Sequence, residues 1–128
     1  MDDLLAQLGV AFTPHAWLAH VLLGLAIQLA VALPLRRAGV GAAWWIGAAV
    51  SIGFWWGREK VEFEFALKAA AGLRTLGPFW HRGWLPFEWD IASQLQFFAP
   101  AAANLAVSAL CERRRRARRP MDTAAPAA

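Results

Sequence analysis

The side chains best suited to chemistry lie between residues 58 and 90. Glu59 and Glu62 share a helical face with Trp55, one turn from an uncharged apolar stretch. Carboxylates beside such a low-dielectric boundary take raised pKa values and serve proton transfer or ion binding. The same charges also fit a plainer pattern: Arg58 and Glu62, Lys60 and Glu64, and Glu64 and Lys68 all stand four residues apart. On that reading they brace an exposed helix. His81 offers an acid–base group or a metal ligand, and Asp90 an N-cap for the helix after it. His15, His20, His81, Glu59 and Asp90 would meet only if the fold gathers them at one surface. Their spacing matches no metal-ligand pattern, so neither a metal nor a cofactor is expected. No nucleophile motif, phosphate loop or dinucleotide fingerprint is present, which weighs against an enzyme.

The elements that must position these groups are apolar. Hydrophobic residues make up 59% of the 128 residues, with 8 Trp, 8 Phe and no Tyr. A soluble chain of this length could hardly bury so much apolar surface. Three uncharged stretches, residues 16–35, 39–57 and 91–111, each approach the roughly 20 residues that span a bilayer core. The expected fold is an all-α membrane protein: a single domain over residues 1–112 with three transmembrane helices. Good helix formers continue the second helix from Val40 to Ala71, about 48 Å, with Gly72 as its C-cap. Residues 1–12 suggest a short interfacial helix carrying Leu4, Leu5 and Leu8. Asp2 and Asp3 precede the first stretch where a secretory signal carries positive charge.

The net charge is +4, and its placement gives orientation. Arg36 and Arg37 close the first stretch, while Arg113, Arg114, Arg115 and Arg116 open a run of six arginines ending at Arg119. By the positive-inside rule both sites are cytoplasmic, giving N-out and C-in in a bacterial inner membrane. The outer segment, residues 58–90, balances its basic and acidic residues. The arginine run directly follows a membrane stretch, so it reads as an anchor at anionic lipid rather than a nucleic-acid arm. Trp44, Trp45, Trp55 and Trp56 read as further anchors at the two leaflets. The tail, residues 113–128, is basic and then disordered. Cys111, the only cysteine, excludes an intramolecular disulfide.

Gly39, Ala43, Gly47 and Ser51 stand four residues apart, and Gly53 with Gly57 adds a second small pair. Small residues let helices approach closely, either within one chain or between copies. Gln94, Gln96, Asn104 and Ser108 need polar partners in hydrocarbon, and Gln28 is one candidate. Pro100 removes a backbone bond from the third helix.

The three stretches and the tail from Glu112 to Arg119 resemble the layout of class I phage holins. The outer segment is longer than a minimal holin needs. Gly57-Arg58-Glu59-Lys60 with Glu62, the Trp-rich loop and Trp89-Asp90 are similar to a block in uncharacterised small membrane proteins of phages and prophages. An acidic residue after a membrane helix also resembles VanZ-like proteins. The holin resemblance implies self-association in the lipid bilayer and permeabilisation. The residues leave two alternatives open: an enzyme or transporter component using the outer acidic groups, or a scaffold whose Trp-rich loop docks a membrane partner.

Overall fold

A computed structural model describes residues 16–72 and 81–118. The expectations for the first dozen residues, for His15 and for the tail beyond Arg118 lie outside the described residues. Among those described the chain is all-helical: α1 spans Ala16–Arg37, α2 Ala43–Ala70 and α3 Ile91–Arg118, with a short 3-10 turn at Pro86–Glu88. Each long helix packs against the other two.

The helix ends follow from local chemistry. The Val40 N–H donates to Leu35 O and the Gly39 N–H to Arg36 O, with Gly39 at φ +81°. This is a Schellman ending, and its left-handed residue favours glycine. Gly39 therefore belongs to the turn after α1. The second helix starts at Ala43, four residues later than the apolar stretch suggested. Gly72, at φ +65°, follows the last turn of α2 as expected. Asp90 caps α3: its Oδ1 accepts the Ser93 N–H at 2.7 Å. α3 then runs through Pro100 to Arg118 without interruption and carries the arginines on its last turns.

The distribution of polarity is inverted relative to a water-soluble bundle. Gln28, Ser51, Asn104 and Ser108 are fully buried between the helices. Leu22, Leu23, Phe54, Phe98 and Leu110 are each at least half exposed. α1 and α3 are both long and apolar enough to cross a membrane, and only 17% and 28% of their most apolar windows are buried within the chain. α2 differs. Its uncharged helical part, residues 43–57, is 15 residues long, about 22 Å, before Arg58, Glu59 and Lys60 begin.

Candidate functional site

The interior is built from one row on each helix. His20, Gly24, Gln28 and Ala32 of α1 face Ala43, Gly47, Ser51, Trp55 and Glu59 of α2. α3 supplies Phe97, Pro100, Asn104 and Ser108. Residues four apart line one helix face, so each row presents its polar and small groups inward. Gly47 allows the closest approach: a Cβ there would lie 2.6 Å from the Gln28 carbonyl oxygen. Gly24 receives the Trp55 indole, whose Nε1 would stand 3.0 Å from an added Cβ.

The middle layer is a hydrogen-bond network. Gln28 Nε2 donates to Ser108 Oγ at 2.9 Å, to Asn104 O at 3.1 Å and to Trp44 O at 3.3 Å. Ser108 Oγ donates to Trp44 O and Ser51 Oγ to Gly24 O, both at 2.9 Å. Asn104 Nδ2 reaches Pro100 O at 2.7 Å and Ser51 Oγ at 3.2 Å. The expected partnership of Gln28 with the polar residues of the third helix is present. Gln94 acts elsewhere, donating to Trp89 O at the start of its own helix.

The second layer lies at the end where α1 begins. The Glu59 side chain is wholly buried. Its Oε1 accepts from Arg58 Nη1 at 2.8 Å, and Arg58 Nη2 holds Glu62 at 2.5 Å. Arg58 Nη1 is also 3.5 Å from His20 Nε2, and the His20 ring packs on Trp55 at 4.3 Å. Trp55 Nε1 is buried with no hydrogen-bond partner, while the Ser93 side chain bears on Glu59 and the Gln96 backbone on His20. Burial pushes the Glu59 carboxyl above the ordinary range, and the charge of Glu62 adds to that; Arg58 opposes both. Such a group can exchange a proton or hold a cation.

Other predicted residues are placed differently. Trp55 is not an exposed anchor. It is 2% exposed and forms the core with Trp89 and Phe97, because it falls in the inward row with Ser51 and Glu59. Trp45 and Trp56 are exposed and Trp44 is half-buried. The connection folds back on α2: Trp84 meets Trp56 edge-on at 6.2 Å, and Lys60 lies over the Trp84 ring. Glu64 pairs with Lys60 as expected. His81 acts on Glu88 rather than on Glu59. Glu88, unmarked by any sequence pattern, is held below the ordinary carboxylate range by the Gly83 N–H and by Arg82. Among the described residues no three His, Cys, Asp or Glu side chains are grouped to hold a metal.

The raised Glu59 carboxyl predicts a pH dependence. A carboxyl that binds its proton more tightly folded than unfolded favours the fold below the unfolded value, about 4.5. That contribution is lost as pH rises from there through the folded value. Glu59→Gln should therefore unfold at a higher temperature than wild type at neutral pH, and with a flatter pH profile. Arg58 keeps Glu62 as its counter-ion in that variant. Thermal unfolding in detergent between pH 4 and 8 reads this directly; a Glu59→Gln variant less stable than wild type at pH 7 would contradict it.

The chain matches no protein-family model, no curated protein and no solved structure.

Proposed function

We propose that this chain is a three-span protein of the bacterial inner membrane, N-out and C-in, that acts by lateral self-association and permeabilises the membrane, as its resemblance to class I holins implies. The observation that carries the membrane part is the inverted packing: a polar and small-residue interior under an exterior of exposed Leu, Phe and Ile. Only a surrounding hydrocarbon satisfies such a surface without a large apolar patch facing water. α2 packs against both helices of spanning length, which supports its crossing with them. The charges support the orientation. Seven arginines and one carboxylate, Glu112, gather where α1 and α3 end, whereas basic and acidic groups nearly balance at the other end.

The association face is the outward one. Ala43, Gly47 and Ser51 are consumed by packing within the chain. Ala49, Gly53 and Gly57 stand four residues apart on the exposed side, and nothing lies within 4 Å of a Cβ built at either glycine. A second helix can approach closely there. The test is entry of a small dye after induced expression in a bacterial host. Wild type should admit dye abruptly, and Gly53→Leu, at equal membrane abundance, should delay or abolish entry. If well-expressed wild type admits none, permeabilisation is abandoned.

A specific observation favours a second reading, proton or ion exchange at the end where α1 begins: the wholly buried Glu59 carboxylate shares the Arg58 guanidinium with His20. Under it, Glu59→Gln removes the function while leaving abundance unchanged.

A further inference from the structure

Three adjoining hollows open where α1 ends, α2 begins and the basic turns of α3 pass. The first, about 180 Å³, is lined by Arg36, the turn at Gly39 and Gly41, Trp44 and Arg115. The second, about 190 Å³, lies between Arg36, Cys111, Arg114, Arg115 and Arg118. The third, about 210 Å³, adjoins Gly41, Trp45, Arg115, Arg116 and the Glu112 carboxylate. At roughly 30 Å³ per water, each has space for a phosphate group and several waters.

Arg115 borders all three and is held in place. Glu112 accepts from its Nε and Nη2, each at 2.9 Å. Its Nη1 takes no part in that clasp and stands 3.2 Å from where a Cβ on Gly41 would lie, so it points at the turn before α2. Arg36 reaches the same hollow from α1, and none of Arg36, Arg114 and Arg118 forms an ion pair among the described residues. α2 starts at the hollow with no side chain capping its first turn. Two guanidiniums from different helices make a fork that suits a phosphate, and a helix start adds favourable dipoles. The apolar exterior leads into it: Leu110, 55% exposed, stands one turn from Arg114 on the same face of α3.

We infer that this end of the bundle holds the phosphate of an anionic phospholipid, seated between Arg36 and Arg115 at the start of α2 with its acyl chains along α3. The inference rests on the proposed topology, in which this end meets the inner leaflet. Arg114 lines the second hollow with Arg36 and Arg115, and exposed Leu110 stands one turn before it, so a lipid, unlike free phosphate, can use both the basic and the apolar part.

The full chain, purified in neutral detergent, is titrated with phosphatidylglycerol, phosphatidylcholine or inorganic phosphate while its thermal unfolding is followed. Phosphatidylglycerol should raise the midpoint saturably and phosphatidylcholine should not. Arg36→Gln should weaken half-saturation about tenfold, the loss of one charge-assisted contact. Arg36 is exposed, so this variant should fold even if Arg115→Gln, which strips Glu112 of a partner, does not. Arg113→Gln removes the same charge from a position lining none of the three hollows and should titrate as wild type. Equal effects of Arg36→Gln and Arg113→Gln would reduce the site to diffuse attraction and overturn it. So would equal stabilisation by the two lipids, or saturation by inorganic phosphate alone. Failure of the membrane reading is separately visible as a chain that stays soluble without detergent, and failure of the orientation as a carboxyl end that protease reaches from outside intact cells.

Discussion

Gly47→Leu is expected to disrupt the three-helix packing, at a cost above ~3 kcal/mol. Even a single added carbon would stand 2.6 Å from the Gln28 carbonyl oxygen and 3.1 Å from Ala32 Cβ. The first of these atoms is backbone of α1, so relief requires the whole helix to move. That displacement would also pull Gln28 away from Trp44, Asn104 and Ser108. Gly53→Leu, six residues along the same helix, meets nothing within 4 Å and should unfold as wild type. The pair therefore separates the inward face from the outward one. Thermal unfolding in detergent, followed by the near-ultraviolet signal of the tryptophans, measures both. A Gly47→Leu protein melting at the wild-type temperature would mean that α1 and α2 do not meet at this glycine.

Gln28→Leu should destabilise by roughly 1–2 kcal/mol without altering the apolar exterior. One amide nitrogen serves three acceptors on α2 and α3, and hydrogen bonds between membrane helices average about 0.6 kcal/mol with a maximum near 1.7. Leucine has similar bulk, so the loss is that of the bonds rather than of a cavity. Ser108→Ala removes one of those acceptors and one donor to Trp44 O. Because both changes touch one network, their effects should fall short of additivity by about 0.5 kcal/mol or more. Strict additivity in a double-mutant cycle would show that the two side chains act independently.

Much of this architecture is written in residue spacing. The three helices, the Asp90 cap, the Gly72 ending and the Lys60–Glu64 and Arg58–Glu62 pairs follow from rules that act within one turn of chain. The polar row of α3 also announced a need for partners. What spacing leaves open is which of two satisfactory uses a residue takes. A tryptophan near the end of an apolar stretch suits both a membrane interface and a close-packed core, and Trp55 takes the core because Gly24 opens a place for it. Gly39 fits a small-residue row equally well as a helix ending, and the left-handed φ decides for the turn. His20 was legible only as a group that meets the others if the fold gathers them at one surface, and its approach to Arg58 depends on the relative height of two helices. The return of residues 81–90 over α2 was not legible. It depends on Gly83 at φ +73°, where a Cβ would meet Phe63 at 2.5 Å, and no pattern in the loop says which side of α2 it covers.

The uneven charge of the two bundle ends has an energetic consequence in a living cell. Between Glu112 and Arg119 the chain carries five net positive charges. Moving one elementary charge against a membrane potential costs about 2.3 kcal/mol per 100 mV. In the proposed orientation, passing this stretch outward across an energised membrane, negative inside, would cost more than ~10 kcal/mol per 100 mV, before any desolvation. In that orientation the potential opposes outward movement of the arginine end, and loss of the potential removes this opposition.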